Sequence, residues 1–281
     1  MIVSNEKRAE LAYTQTGIHD GRRVWVLHGI MGSRQNWSRF AKRLSTSAPK
    51  LLITTIDLRC HGDTAHKKGP HNLQACVDDL MELAHKIGSP QTLIGHSFGG
   101  KVALQYAAYC SQADGLNGLD QVWTLDSPLE ANIRPGHGEL ARIIEVCGLI
   151  DMPQSTRQNI IDYFTNAGFS LGIAQWMTTN LERVDRKAYP EGGFRWKFDL
   201  DGIKALIIDY WRVDGWSLLK QIDPHIELNL LRAERGLRWT AEDALRITRD
   251  YPHIKTPLLK DSGHWVHIEQ LEALISLING R

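Results

Sequence analysis

The segment QTLIGHSFGGK, residues 91–101, carries the most informative motif of this chain. An apolar run leads into the pentapeptide Gly95-His96-Ser97-Phe98-Gly99, and a helix-compatible segment follows it. A G-x-S-x-G pattern between a buried strand and a helix is typical of a nucleophilic serine on a tight strand-to-helix turn. Glycines flank the serine because larger side chains would clash in such a turn. The motif therefore predicts Ser97 as a nucleophile at the edge of a sheet.

Short apolar runs alternate with helical patterns on both sides of this motif. The apolar runs lie at residues 24–27, 51–58, 91–95 and 121–125, and the helical patterns lie at residues 37–44, 73–87 and 99–110. This alternation predicts the α/β class, with a doubly wound, mainly parallel sheet between helices. In such sheets, ligands bind at the carboxyl ends of the strands.

The alternation stops after Pro128. Residues 129–222 look helical and irregular and include several tryptophans, whereas strand and helix patterns return after residue 222. The expected organisation is a core made of residues 1–128 and 223–281, with residues 129–222 inserted as an α-helical cap, or lid. The later elements are a strand near 226–231, a helix near 240–249, a strand near 253–259 and a last helix from about residue 268.

A serine hydroxyl needs a base, and the tetrahedral intermediate needs donors for its oxyanion. His264 lies in a glycine-containing loop after the last predicted strand and is the expected base. His267 competes with it but falls at the start of the last helix. The expected oxyanion donors are the backbone N–H of Phe98 and that of Ile30, with the N–H of Met31 as the alternative to Ile30.

Four segments in this order resemble the α/β-hydrolase superfamily: HGIMGS (28–33), DLRCHGD (57–63), GHSFGGK (95–101) and SGHWVH (262–267). With GGFRWKFDLDGI (192–203), they resemble the group of serine esterases that includes YbfF and abhydrolase-domain-containing protein 11. The resemblance implies the α/β-hydrolase fold with its cap after the sixth strand. Cys60 is a departure, because the superfamily often has glycine at this position.

The carboxylate that orients His264 has three candidates between the serine and the histidine. Asp126 follows the apolar run at 121–125, and the group that the chain resembles carries an aspartate in the matching position. Glu234 follows the strand near 226–231, where superfamily members commonly place the acid. Asp201, in the predicted cap, has a precedent in the family. Asp126 is preferred because a strand end places its carboxylate at the same sheet edge as Ser97.

These features predict a cofactor-free carboxylic-ester or thioester hydrolase that works through an acyl-enzyme. The expected substrate is small or carries an acyl chain, and the residues expected to line its pocket are His28, Trp176, Trp196 and Trp265. Two alternatives stay open: a small-molecule receptor or other non-catalytic binding protein on a hydrolase scaffold, and related triad chemistry such as carbon–carbon bond hydrolysis or perhydrolysis.

Composition argues against several other classes of protein. Thirty-three basic and 32 acidic residues give a net charge of +1, which does not favour nucleic acid or an anionic membrane as a partner. The four cysteines form no CxxC pair, so neither a metal site nor a disulfide framework is expected. No window resembles a membrane span or an apolar signal core. The expected location is the cytoplasm, or an organelle interior if a transit peptide has been removed.

Overall fold

A computed structural model describes residues 10–64, 69–112, 118–131, 138–236 and 238–280 of the 281-residue chain. Within these ranges the strands are β1 (Tyr13–Gly17), β2 (Arg22–Leu27), β3 (Leu51–Ile56), β4 (Thr92–His96), β5 (Gln121–Leu125), β6 (Leu181–Arg183), β7 (Phe194–Trp196), β8 (Glu227–Ala233) and β9 (Leu258–Leu259). Seven of them form one sheet in the order β1-β3-β2-β4-β5-β8-β9. Every pairing in this sheet except β1 with β3 is parallel, which confirms the predicted mainly parallel sheet.

Helices connect and cover these strands. They are α1 (Ser38–Ser47), α2 (Leu73–Ile87), α3 (Phe98–Gln112), α4 (Glu139–Leu149), α5 (Arg157–Asn166), α6 (Leu171–Thr178), α7 (Leu200–Arg212), α8 (Gly215–Leu219), α9 (Ala241–Asp250), α10 (Val266–Glu269) and α11 (Leu271–Ile278). The helix predicted at residues 73–87 forms over those residues. It begins there because the Asn72 side chain caps it by accepting from the Ala75 N–H at 2.8 Å.

The sheet is buried on both faces, because alternate side chains of β2 pack into two different apolar clusters. Trp25 and Leu27 belong to the larger apolar cluster, with α2, α3 and much of the insertion, whereas Val24 and Val26 belong to a second cluster with α1 and α11. Successive side chains of a strand point to opposite faces, so a strand covered on both sides is apolar throughout. The doubly wound arrangement predicted from these runs is therefore confirmed.

The insertion carries α4 to α8 between β5 and β8, and it also contains the antiparallel hairpin β6–β7, which the sequence did not predict. Its strands are three residues long, too short for a visible alternation of apolar and polar residues. Five described strands precede the insertion, whereas the family pattern gave six. The strand predicted near 253–259 is reduced to Leu258–Leu259. No helix of the described ranges combines the length and apolar character needed to cross a bilayer.

Candidate active site

Ser97 lies on the turn between β4 and α3 at the carboxyl edge of the sheet. Its φ of +51° is in the left-handed region, which non-glycine residues adopt only when the surroundings hold them there. A Cβ on Gly95 would lie 2.1 Å from the Gly99 carbonyl oxygen, and one on Gly99 would lie 2.6 Å from the His28 carbonyl oxygen. Glycine is thus required on both sides of Ser97, as the motif predicted.

His264 and Asp126 are joined by a short hydrogen bond. The Nδ1 of His264 lies 2.7 Å from the Oδ2 of Asp126, which is fully buried at the end of β5. The other carboxylate oxygen, Oδ1, accepts from the Ala233 N–H of β8 at 3.3 Å. With Nδ1 engaged by the carboxylate, His264 has Nε2 as the nitrogen available for proton transfer.

The two alternative acids lie elsewhere. The Glu234 carboxylate accepts from the Asp261 N–H at 2.8 Å and so ties the end of β8 to the loop that precedes His264. Asp201 lies in the first turn of α7, where its side chain is 91% exposed and pairs with Lys204 at 3.1 Å. The described structure therefore brings Asp126, and neither of the alternatives, to the imidazole.

The loop that carries His264 is held by groups that the sequence did not single out. The Glu269 carboxylate accepts from the Gly263 N–H at 2.8 Å and from the Trp265 N–H at 3.3 Å. His96 donates from Nε2 to the His264 carbonyl oxygen at 2.8 Å. His267, the predicted competitor, is instead buried and stacks on Trp37 with ring centroids 4.0 Å apart.

Burial determines the protonation of the pair. Loss of water lowers the pKa of His264 to about 3, so that its imidazole is neutral at neutral pH. Burial also raises the pKa of Asp126 to about 6, an effect that the hydrogen bond from Ala233 opposes. Above that pH the site holds a neutral imidazole oriented by a carboxylate, which is the state that a general base requires.

The loop at residues 28–33 lies beside Ser97, since a Cβ on Gly29 would be 3.4 Å from the Ser97 Cβ. Phe98 begins α3, so its backbone N–H is at a helix N-terminus, as expected for one oxyanion donor. The Met31 N–H already donates to His61 Nε2 at 3.0 Å. The expectation that Met31 is an alternative donor is therefore corrected, and Ile30 is the candidate that remains.

His28 is the histidine at the start of that loop, and both its ring nitrogens hold the loop in shape. Nδ1 donates to the Gly29 carbonyl oxygen at 2.7 Å, and Nε2 accepts from the Leu58 N–H at 3.0 Å. The ring lines the cavity beside Ser97, as predicted for the pocket. Because its polar atoms are engaged, His28 contributes shape to the site and not proton transfer.

A cavity of about 730 Å³ opens over Ser97 and His264. Its walls come from the sheet edge and from the insertion, and they include Trp176 and Trp265, whose ring centroids lie 6.0 Å apart. Trp196 does not belong to the described lining. It belongs to β7, stacks on Phe198 with ring centroids 5.1 Å apart and packs against the larger apolar cluster. The prediction that Trp196 lines the pocket is therefore wrong for the described lining.

The polar lining residues that the sequence did not predict include Lys101, Tyr210 and Arg238. Tyr210, on α7, has its hydroxyl near Ser97 and Ser127, and burial raises its pKa to about 12, so the hydroxyl stays protonated. Arg238 is exposed, and its positive charge is the second cause, after burial, that lowers the pKa of His264. Tyr210 and Arg238 do not belong to a recognisable motif, because each comes from a part of the chain that is distant in sequence from Ser97.

Lys101 joins α3 to the insertion. Its ammonium donates to the carbonyl oxygens of Glu130 at 2.8 Å, Tyr210 at 3.2 Å and Val213 at 2.8 Å. The side chain is only 1% exposed, and burial lowers its pKa to about 8. All three ammonium donors are used, so one cation on α3 holds the insertion over Ser97.

Comparison with known proteins identifies the family of this chain. The profile of the alpha/beta hydrolase family matches residues 26–277, nearly the whole chain. The chain belongs to the alpha/beta hydrolase family. A relative from Schizosaccharomyces pombe, an abhydrolase domain-containing protein, is 36% identical over 273 residues, covering 91% of this chain and 92% of the relative. The superfamily resemblance of the four sequence motifs is thereby confirmed.

Other relatives in this alpha/beta hydrolase family carry names that specify an activity. The sn-1-specific diacylglycerol lipase ABHD11 of Danio rerio is 27% identical, with 93% of this chain and 78% of the relative covered. Esterase YbfF of Escherichia coli (strain K12) is 24% identical, with 96% of each chain covered. The solved structure of a marine microorganism esterase superposes with a TM-score of 0.82 at 24% identity, covering 96% of this chain and 98% of that one, which supports the fold. The expected class of enzyme, a carboxylic-ester hydrolase, agrees with these names.

Proposed function

We propose that this alpha/beta hydrolase cleaves carboxylic esters or thioesters with Ser97 as nucleophile, His264 as general base and acid, and Asp126 as the orienting carboxylate. The observation that carries the proposal is the 2.7 Å hydrogen bond from His264 to Asp126 at the sheet edge where the strained turn places Ser97 in the cavity lining. A neutral imidazole held by a buried carboxylate beside such a serine is the arrangement that acyl transfer requires.

The reaction proceeds in two halves. His264 takes the Ser97 proton at Nε2 as the serine oxygen attacks the carbonyl carbon, and the N–H groups of Phe98 and Ile30 donate to the oxyanion. The imidazolium then gives that proton to the leaving alcohol or thiol, so the acyl group stays on Ser97. Water, deprotonated by the same imidazole, cleaves the acyl-serine and releases the carboxylic acid. Asp126 stabilises the imidazolium in both halves.

The cavity supports a substrate with an apolar acyl or aromatic group. Its walls include Ile143, Ile173, Trp176 and Ile207 from the insertion. The volume of about 730 Å³ lies within the usual range of small-ligand sites, roughly 300–1,000 Å³. The names of the ABHD11 and YbfF relatives, a diacylglycerol lipase and an esterase, support ester hydrolysis.

We also propose that residues 129–222 act as a cap over a core formed by residues 1–128 and 223–281. Helices α4, α6 and α7 of this segment supply one wall of the cavity, and the sheet edge supplies the other. A cap in this position selects substrates by shape and keeps bulk water from the acyl-enzyme.

Turnover of p-nitrophenyl esters and labelling by a fluorophosphonate, mapped by mass spectrometry, test the proposal. Wild type should turn over the ester and label at Ser97, whereas Ser97→Ala should do neither. Asp126→Asn keeps the shape of the side chain but loses its charge, so kcat should fall by about 1,000-fold or more. Glu234→Gln, the matched carboxylate-to-amide control, should keep most of the activity because Glu234 contacts the Asp261 backbone and not His264.

Two results would contradict the proposal. Ester turnover by Ser97→Ala equal to that of wild type would show that the protein is not a serine hydrolase and would favour a binding protein on this scaffold. Labelling of Asp126→Asn at the wild-type rate, together with slow labelling of Glu234→Gln, would keep the hydrolase but move the acid to Glu234.

A further inference from the structure

Three side chains that the proposed reaction does not use meet where the core touches the insertion: Cys60, His71 and Asp199, called here the core–cap cluster. The Cys60 Sγ lies 3.3 Å from the His71 Nδ1. One ligand atom from each of the three residues, the sulfur, a ring nitrogen and a carboxylate oxygen, lies within 4.8 Å of the others. Sulfur, nitrogen and oxygen donors in this combination are typical ligands of Zn²⁺.

The backbone fixes the three residues relative to each other. Cys60 follows β3 and His71 precedes α2, whereas Asp199 is the N-cap residue of α7. The Asp199 N–H donates to the Cys60 carbonyl oxygen at 3.0 Å, so core and insertion are joined at the cluster itself. The donors are thus held in position by their main chains, as a binding site requires.

Cys60 occupies a position that disfavours its residue type. Its φ is +66°, in the left-handed region where glycine or asparagine costs less. The thiol is 2% exposed and its sulfur faces His71 and Asp199. Strain of this kind at a non-glycine residue is found at functional sites, where the side chain itself is needed.

The Asp199 carboxylate divides its two oxygens between two uses. Oδ1 accepts from the Asp201 and Gly202 N–H groups, both at 3.2 Å, and so caps α7. Oδ2 lies on the side of the sulfur, because a Cβ on Gly202 would be 2.8 Å from Oδ2 and 2.4 Å from the Cys60 Sγ. Glycine at 202 therefore keeps open the space between the Cys60 sulfur and the Asp199 Oδ2. Because Oδ1 alone caps α7, Oδ2 can bind a ligand without loss of the helix cap.

We propose that the core–cap cluster binds a divalent cation of the Zn²⁺ type through the Cys60 sulfur, the His71 Nδ1 and the Asp199 Oδ2. Tetrahedral zinc places its ligand atoms about 3.5 Å apart, so the observed spacing needs shifts of only about 1 Å. Binding breaks the S–H bond of Cys60, whose proton goes to solvent, and forms the metal–sulfur bond. Water takes the fourth position, which the partial exposure of His71 and Asp199 leaves accessible.

Charge supports the same assignment. A thiolate and a carboxylate together carry two negative charges, which match a divalent cation, and the imidazole is neutral as a ligand. The nearby Arg59 guanidinium is neutralised by Asp79, with which it forms two hydrogen bonds at 2.7 and 2.8 Å. The bound cation would cross-link the core to α7, the helix that carries Tyr210 over Ser97.

Metal titration of the chelator-treated full chain tests the proposal. Zn²⁺, measured by competition with a chromophoric chelator, should bind one equivalent per chain and raise the Tm. Co²⁺ in its place should give a thiolate-to-metal charge-transfer band and the visible absorption of a tetrahedral site. Changing an outer partner of a metal ligand lowers metal affinity by about 10- to 100-fold, so loss of a direct ligand should lower it by at least tenfold.

The variants are chosen to fold. Cys60→Asn tolerates the left-handed backbone but has no thiolate, and Asp199→Ser keeps an N-cap but loses the carboxylate. Both should lose the tight equivalent of Zn²⁺, and Cys60→Asn should also lose the charge-transfer band. His225→Gln is the matched control, because it removes an exposed His–Asp pair (2.7 Å) elsewhere on the surface and should bind as wild type does.

Two outcomes would overturn the metal site. One is a wild-type chain that binds no stoichiometric Zn²⁺; the other is unchanged binding in both Cys60→Asn and Asp199→Ser. Loss of binding in His225→Gln alone would assign the metal to that surface pair. Ester turnover is not the readout, so failure of this proposal is distinct from failure of the proposed hydrolase.

Discussion

Asp126 takes a backbone conformation that few non-glycine residues adopt, with φ at +47°. Its main-chain N–H donates to the Leu231 carbonyl oxygen at 2.9 Å, and its side chain accepts from the Ala233 N–H. Strand β8, after which the superfamily pattern commonly places the acid, here holds the proposed acid of the neighbouring strand in place. The carboxylate therefore reaches His264 from β5 without losing support from β8.

The pH dependence of kcat/KM should report this carboxylate. The proposed active form has an ionised Asp126 and a neutral His264, and both conditions hold above the Asp126 pKa of about 6. As the pH falls through about 6, the carboxylate takes up a proton and no longer stabilises the imidazolium. We expect kcat/KM for a p-nitrophenyl ester to be flat above pH 7 and to fall below pH 6.

The same pH series on Asp126→Asn serves as the control, since its acid limb should move or vanish. A wild-type kcat/KM that is unchanged from pH 7 to pH 5 would contradict the assignment. Circular dichroism at each pH separates loss of catalysis from loss of the fold.

Among the elements, α3 follows the turn that carries the proposed nucleophile and also bears the residue that holds the insertion. Ser97 immediately precedes the helix, and Lys101 lies one turn into it. The Lys101 ammonium donates to a carbonyl oxygen in the segment after β5 and to two at the end of α7, so α3 fixes the position of the insertion relative to Ser97. Movement of the insertion thus requires loss of charge-assisted hydrogen bonds.

Lys101→Met should destabilise the protein markedly. The side chain keeps its length but leaves three carbonyl oxygens without their donor, at a cost of about 3 kcal/mol in the free energy of unfolding. Urea unfolding measures this change, and KM should rise because α7 is no longer held over the cavity.

Lys204→Met is the matched control. Lys204 lies on α7 and pairs with Asp201 at the surface, so its loss should cost about 0.5 kcal/mol or less. Equal unfolding free energies for the Lys101→Met and Lys204→Met variants would show that the buried ammonium does not hold the insertion.

At the scale of the whole molecule, the cavity exists only because the insertion folds back over the sheet edge. Ile173, on α6, is 6% exposed and belongs to its wall, whereas Leu171 on the same helix is 56% exposed. The apolar wall is expected to favour longer acyl groups over acetate, through burial of about 0.8 kcal/mol per CH₂ group.

Ile173→Phe should lower the activity towards esters with long acyl chains relative to that towards short ones. The added ring fills part of the cavity, so kcat/KM for p-nitrophenyl octanoate should fall about tenfold relative to that for the acetate, a difference of roughly 1.4 kcal/mol. Leu171→Phe should leave the ratio unchanged, because its side chain faces solvent. An octanoate-to-acetate ratio that is the same in wild type and Ile173→Phe would place the acyl group elsewhere.

Patterns among residues that are close in sequence were sufficient to predict much of the fold of this protein. The parallel sheet, the helix at residues 73–87, the Ser97 turn and the loop of His264 are encoded by neighbouring residues, through apolar periodicity, glycine and capping. The β6–β7 hairpin was not predicted because strands of three residues are too short to show a period. Trp196 was wrongly expected in the pocket lining because the sequence does not reveal that its ring stacks on Phe198. Met31 was kept as a donor because the sequence does not reveal that its N–H is already bound to His61.

The amino-acid sequence alone was enough for the fold class, and it predicted the place of the insertion and the serine and histidine of the proposed site. Asp126 was already the preferred carboxylate, and the tertiary structure shows that it contacts His264 whereas Glu234 and Asp201 lie elsewhere. Only the tertiary structure brought Lys101, Tyr210 and Arg238 to the cavity and assembled the core–cap cluster. The physical reason is that turns and periodicities act between residues near in sequence. Contacts such as His264 with Asp126 depend on strand order and on the packing of the insertion, which bring together residues more than 100 positions apart.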